Sequence, residues 1–381
     1  MDITKPLTLL GGISPQTFMK RHWQKRPLLI RQAFPGFVPM LDRTQLFDLA
    51  GRDDVESRLV RQHAKGWGLK SGPFTRRALP GLKTPDWTLL VQGVDALHVG
   101  VRQLMDQFRF VPDARLDDVM ISYASSGGGV GPHFDSYDVF LLQAQGRRRW
   151  TISAQKDLTL QAGAPLKILQ NFKGEQTFDL EPGDMLYLPP RYAHDGVALD
   201  ECMTYSIGFR APKKQELALA LVQRMADGMA DDDEPAGDVL YRDASQLAVA
   251  QPAEMPRELL DFACLSVQSV LADADGLARA LGEYLTEPKA QVWFDGPAEN
   301  PSHGAASSTA NLQLDPRTRM LFDAKHIFIN GESFLASGRD ARLMRELANQ
   351  RVLSASARAG LSDDARDLVA QWVADGWVME A

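Results

Sequence analysis

The sequence predicts an α+β protein built on a jelly roll or sandwich of short strands. Three observations carry this. Between residues 118 and 209 the chain breaks into short apolar runs punctuated by Gly and Pro, rather than the alternating strand and helix of a parallel sheet. Beyond Ala211-Pro212 the texture turns helical, beginning with the A/L-rich run 215–228. Near the C-terminus, two apolar runs flank Asn330-Gly331, a hairpin signal set among helical segments.

At 381 residues the chain is too long for one typical domain. Its net charge of −7 argues against electrostatic capture of nucleic acid or acidic membranes and suits a basic partner. The two cysteines, Cys202 and Cys264, lie far apart, which excludes a disulfide framework and fits a reducing compartment. Both are expected to be buried thiols. The start carries no basic-then-apolar leader, and no run approaches the roughly 18 apolar residues of a membrane span, so a soluble, cytoplasmic protein is expected.

In chain order, Ser14 caps an expected short helix over 17–24 with Pro15 at its first position, and a second short helix follows over 44–50. Residues 57–92 read as strands split by Gly and Pro. The spacing of Leu97, Val101, Leu104, Met105 and Phe108 predicts one helix over 97–108. In 118–124, alternation puts Asp118, Met120 and Ser122 on one face and Val119, Ile121 and Tyr123 on the other. Gly127, Gly128 and Gly129 read as a flexible lip, and 133–143 as the next strand. Gln145-Gly146 turns into a strand over 147–153, and Glu181-Pro182-Gly183-Asp184 into one over 185–188. Short strands at 197–199 and 202–209 complete the set. Helices are expected over 256–272 and 276–285, the first with Leu259, Leu260, Phe262, Ala263, Val267 and Val270 as an apolar stripe. Residues 231–235 and 295–308 read as solvated loops. The tail adds helices over 340–349 and 362–376, with Ser362 as N-cap and Gly376 just past the end, and a strand over 377–379. A hairpin with such helices reads as a winged helix. Asp363, Asp364 and Asp367 beside Arg366 favour protein contacts over phosphate. The expected divisions are 1–56, 57–212, 213–290 and 291–381.

The chemistry centres on His133-Phe134-Asp135. On a strand, His133, Asp135 and Tyr137 share a face and Phe134 points away. About one such His-x-acid pair is expected by chance in this composition, so context carries the weight. The pair sits in the β-rich stretch, and His194 follows the strand at 185–188, where a jelly roll brings a later strand back beside the first. Two imidazoles and one carboxylate leave coordination positions open, as non-haem iron oxygenases require. A structural zinc site would use four closed ligands, commonly with cysteine. On 147–153, Arg148 shares a face with Trp150 and Ile152, which point into the barrel, whereas Arg147 and Arg149 point out. A buried guanidinium needs an anion, and a bound dicarboxylate would supply one. His22, His63, His98, His303 and His326 lack partners at ligand spacing and read as structural or surface residues.

The stretches I-S-Y-A-S-S-G-G-G-V-G-P-H-F-D-S-Y-D-V-F-L-L-Q-A-Q-G-R-R-R-W and G-D-M-L-Y-L-P-P-R-Y-A-H-D-G-V-A-L resemble the JmjC-type cupins of the ribosomal oxygenase family. W-Q-K-R-P-L-L-I-R, W-T-L-L-V-Q and the helical and winged-helix tail extend the resemblance over most of the chain. It implies a double-stranded β-helix (jelly-roll, JmjC cupin) core, a helical homodimerisation region and a C-terminal winged-helix-like domain. It also implies Fe(II) on His133, Asp135 and His194, the distal carboxylate of 2-oxoglutarate on Arg148, and O2 as oxidant. The implied reaction hydroxylates an arginine of a large-subunit ribosomal protein, releasing succinate and CO2. Ser122 and Ser206 are expected to help hold the cosubstrate. Asp118 and Tyr137 are expected to meet the substrate, since a guanidinium wants a carboxylate or an aromatic face. Neither membrane nor direct nucleic-acid binding is expected. A non-catalytic cupin module is the alternative of a different class, but it would be expected to lose one of His133, Asp135, His194 or Arg148. A JmjC demethylase of a basic protein would share the same chemistry.

Overall fold

The computed structural model describes residues 1–64, 66–230, 239–248, 250–294, 296 and 310–381. The expected loop at 231–235, and that at 295–308 apart from Gly296, lie outside them. The chain divides into two units, Met1–Ala211 with Lys289–Trp293, and Pro212–Pro288 with Phe294–Ala381.

The first unit is a jelly roll. Its strands are β1 (Leu28–Ile30), β2 (Ser57–His63), β3 (Gly66–Ser71), β4 (Trp87–Val91), β5 (Leu116–Ala124), β6 (Val139–Gln145), β7 (Arg148–Ser153), β8 (Gln176–Leu180), β9 (Met185–Leu188), β10 (Ala193–Ala198) and β11 (Cys202–Phe209). The larger sheet runs β1-β9-β6-β11-β5-β4-β2-β3 and the smaller β10-β7-β8, with antiparallel neighbours. Helices α1 (Pro15–Arg21), α2 (Arg43–Leu49), α3 (Val94–Leu97) and α4 (Val99–Asp106) accompany them.

The alternation on β5 holds. Val119, Ile121 and Tyr123 join Phe140, Leu142, Tyr187, Tyr205 and Phe209 in a core shared with Phe18, Trp23, Leu104 and Phe108, which covers the outer face of the large sheet. Inner-face Val139, Leu141, Leu186 and Leu188 pack against Trp150, Ile152 and Leu180 of the small sheet. Strands buried on both faces need no polar alternation, which is why Val139–Leu142 and Met185–Leu188 are unbroken apolar runs.

Four expectations are corrected. The helix over 97–108 is two helices, because His98 is extended (φ −142°, ψ 118°) and its Nδ1 caps the second by accepting from Val101 N. The His133–Asp135 pair precedes β6 rather than riding on it. Residues 134–138 carry no strand structure and β6 starts at Val139, so Tyr137 shares no strand face with the ligands. The glycine run is not a flexible lip. Gly127 N donates to Ala198 O and Ala198 N to Gly128 O, and a Cβ on Gly129 would lie 2.6 Å from Gly196 O. Cys202 is buried as expected, but Cys264 is exposed.

The second unit holds α5 (Lys214–Ala230), α6 (Arg257–Leu271) and α7 (Ala274–Thr286), followed by β12 (Leu312–Leu314), β13 (Met320–Phe322), β14 (His326–Ile329), β15 (Glu332–Leu335), α8 (Gly338–Gln350), β16 (Val352–Leu353), α9 (Ala355–Arg358), α10 (Asp363–Ala374) and β17 (Val378–Glu380). Asn330 and Gly331 make the β14–β15 turn with positive φ (48° and 94°), as a two-residue hairpin requires. Leu312, Ile327, Ile329, Leu347, Val369 and Trp372 centre the core of this winged helix. Gly282 of α7 packs on the Phe328 ring, where a Cβ would come within 2.3 Å. α6 fully buries none of its residues: Cys264, Leu259, Leu260, Ala263 and Val267 are exposed, while Phe262 and Val270 of the predicted apolar stripe are half-buried.

Candidate metal centre and adjoining pocket

β10 assembles the centre. His133 N donates to His194 O at 2.9 Å and His194 N to His133 O at 2.8 Å. Two residues on, Arg191 N donates to Asp135 O at 2.7 Å, so the turn before β10 also carries Asp135. One ligand atom from each of His133, Asp135 and His194 lies within 4.8 Å of the others. His133 Nδ1 is 2.9 Å from Gly131 O, and His194 Nδ1 is 2.9 Å from Tyr192 O. Each Nδ1–H thus donates to a carbonyl and leaves Nε2 as the free lone pair, the usual orientation of a metal-bound histidine. Burial, with His133 alongside, pushes the His194 imidazole down to about 4, so it stays neutral and ligand-competent at ordinary pH. The set is hard-to-borderline, open on one side and thiol-free, so these residues fit a divalent iron-like ion.

Arg148 behaves as its strand phase predicts. It is 5 % exposed on β7, whereas Arg147 and Arg149 reach out to Asp200 and Asp179. Its guanidinium lies 5.7 Å from the Trp150 ring, and Nη1 is 3.4 Å from Ser122 Oγ. Its Nε and Nη2 have no partner, nor do the buried Trp150 Nε1 and Thr88 Oγ1. Unpaired buried donors of this kind mark where an anion sits. Gly196 packs directly on the Trp150 ring, where a Cβ would lie 2.6 Å away.

Of the two candidate serines, Ser122 meets Arg148. Ser206 is buried on β11 opposite Met120, two residues along from the Thr204 that faces Ser122. Asp118 is 5 % exposed, and it accepts from Gln92 Nε2 at 2.8 and 3.1 Å and from Lys289 Nζ at 2.9 Å. Tyr137 is exposed, on the loop between Asp135 and β6, and its phenol is raised by burial of the hydroxyl and by the charges of Asp135 and Asp118. His22, His63, His98 and His326 stand apart from this centre: His22 stacks on Phe18 and His326 pairs with Asp323.

Sequence reasoning missed Thr88, Gln92, Gly196 and Lys289. The first three sit where the pattern gives no chemical signal. Lys289 lies 171 residues from Asp118, and only the fold pairs them.

The double sheet, with two histidines and an aspartate at one end and a buried arginine inside, defines a JmjC-type cupin. The JmjC domain family matches residues 103–217, and the ROXA-like winged helix family matches 269–379. The chain belongs to the JmjC-type ribosomal oxygenases. It is 35 % identical over 276 residues to the ribosomal protein uL16 3-hydroxylase of Escherichia coli (strain K12), covering 72 % of each protein. The crystal structure of E. coli ycfD superposes with a TM-score of 0.84 at 30 % identity, covering 96 % of this chain and 98 % of that one. The same ribosomal oxygenase in complex with cobalt and 2-oxoglutarate gives 0.80 at 30 % identity over 96 % and 97 %. Among the described residues, no helix is long and apolar enough to cross a membrane.

Proposed function

We propose that the chain is an Fe(II)- and 2-oxoglutarate-dependent oxygenase that hydroxylates an arginine side chain of a large-subunit ribosomal protein, with release of succinate and CO2. The observation that carries this reading is the pairing of an open His133–Asp135–His194 site with the unpaired buried donors of Arg148 in one barrel. The relative solved with cobalt and 2-oxoglutarate, and the relative named for ribosomal protein uL16, support it.

His133, Asp135 and His194 would hold the metal, their tautomers set by Gly131 O and Tyr192 O. Arg148 would receive the distal carboxylate as a bidentate fork, aided by Ser122 and, more remotely, Ser206. With metal and cosubstrate bound, the site supplies O2 activation and the oxidising power for a C–H bond. The chain's own residues position the reactants: Trp150 and the inner leucines exclude water, while Asp118 and Tyr137 present a carboxylate and an aromatic face to a guanidinium. The negative net charge suits a basic ribosomal protein and supports a cytoplasmic reaction without direct nucleic-acid binding. The uncovered face of α6 supports a homodimer. The proposed functional segments are 1–56, 57–212, 213–290 and 291–381.

The test is mass spectrometry. Purified chain is incubated with Fe(II), 2-oxoglutarate, O2 and peptides of uL16, beside His133→Ala. An arginine gaining one oxygen, absent with the variant, is expected. Succinate formed with no oxidised peptide would keep the oxygenase and discard this substrate. Neither product, with no iron bound, would leave only a binding module.

A further inference from the structure

We propose that Lys289 is a resident stand-in for the substrate's cation: it neutralises Asp118 in the resting chain and passes to Asp117 when a guanidinium arrives. The inference rests on the arginine reading above.

Asp118 lies on the inward face of β5, on the same side as Ser122, and its charge reaches the Tyr137 phenol along with that of Asp135. Lys289 belongs to the segment Lys289–Trp293, which is part of the jelly-roll unit although it follows α7 in sequence. Its ammonium is shared, 2.9 Å from Asp118 Oδ2 and 3.0 Å from Asp117 Oδ1.

Asp118 cannot be left without a cation. Its carboxylate is buried, and the fully buried Asp95 nearby is already pushed up to about 6 by its own burial and by the Asp118 charge. An unpaired charge in such a place is strongly disfavoured. Yet Oδ2 already accepts from both Gln92 and Lys289, while Oδ1 accepts from Gln92 alone at 3.1 Å. A guanidinium binding as a fork needs both oxygens, so one donor must leave.

The lysine is the donor able to go. Gln92 is tied through its own oxygen to Arg58 Nη2 at 3.3 Å. Lys289 has a flexible four-carbon stem, a side chain 35 % exposed, and a second carboxylate already in reach; Asp117 is 36 % exposed. Moving wholly onto Asp117 gives up the buried pair and keeps the surface one, which Asp117 also shares with Arg210 Nε at 3.7 Å, while the incoming guanidinium restores the charge balance at Asp118.

The experiment uses the full chain without metal or cosubstrate and a fluorescent arginine-containing uL16 peptide, with its citrulline counterpart, read by anisotropy. Lys289→Met should bind the arginine peptide about fivefold more tightly and the citrulline peptide unchanged, and Asp117→Asn should bind the arginine peptide more weakly by a similar factor. Equal or weaker arginine binding by Lys289→Met overturns the proposal. A second measurement needs no variant: acetylation of Lys289 by an N-hydroxysuccinimide ester, read by mass spectrometry, should rise when the arginine peptide is bound. A wild-type chain that does not prefer arginine to citrulline overturns the arginine reading and this inference together. A chain that prefers arginine but keeps Lys289 equally protected overturns the stand-in alone.

Discussion

His133 and His194 form one bonded rung of an antiparallel ladder, each donating its backbone N–H to the other's carbonyl. Their rings therefore lie on one side, with centroids 4.2 Å apart. The spacing of the two imidazoles is a property of the backbone, so the pair is preorganised before any metal arrives.

Arg148 is buried with Nε and Nη2 unpaired. If it receives the distal carboxylate as proposed, those donors are a cost in the free protein that the bound dicarboxylate offsets. Arg148→Met should therefore stabilise the cosubstrate-free chain by about 1–3 kcal/mol, seen as a higher urea midpoint. The same variant should lose the increase in Tm that 2-oxoglutarate confers on the wild type. A variant less stable than wild type would mean that the guanidinium is already satisfied.

Gly196 and Trp150 are in close contact inside the barrel. Gly196→Ala puts a methyl 2.6–2.9 Å from three atoms of the ring. Overpacking of this kind should cost about 1–3 kcal/mol in chemical denaturation. Because Gly196 is two residues from His194 on β10, metal affinity should fall as well, measurable by Co(II) titration.

Asp95 gives the fold a pH dependence of defined sign. Its carboxyl is raised from 3.8 to about 6, mainly by burial and then by Asp118. A raised acid contributes stability that is present in full below about 4 and is lost as the pH climbs through 6. Asp95→Asn keeps an oxygen able to accept from Val119 N, which donates to Asp95 at 2.8 Å, and it does not titrate. Unfolding free energies of wild type relative to the variant should thus fall between pH 4 and pH 7, on the order of 3 kcal/mol in total. A constant difference would show that the Asp95 carboxyl titrates alike in the folded and unfolded chain.

Leu265 and Val267 stand exposed on α6, at 65 % and 60 %. Leu265→Glu should leave the stability of a single chain within about 0.5 kcal/mol, because the side chain is not buried within it. If α6 joins two copies, the variant should sediment as a monomer while the wild type sediments as a dimer. Equal sedimentation would remove α6 from the interface.

Several features were legible in the sequence because they are encoded by near neighbours. Period-two alternation placed Val119, Ile121 and Tyr123 in the core, and it put Arg148, rather than Arg147 or Arg149, inside. Asn330-Gly331 marked its hairpin through the positive φ it tolerates. The ligand trio was nameable once a jelly roll was assumed. The strand expected over 133–143 begins only at Val139, so the period-two pattern of His133, Asp135 and Tyr137 is present in the sequence but lies before the strand. What only the tertiary structure decided are the relations set by sheet register and by long excursions of the chain. These are the His133–His194 rung, the unpaired donors of Arg148, the fit of Gly196 under Trp150, and Lys289 on Asp118. Each joins residues far apart in sequence, where pattern carries no information about distance and only packing brings the charges and rings together.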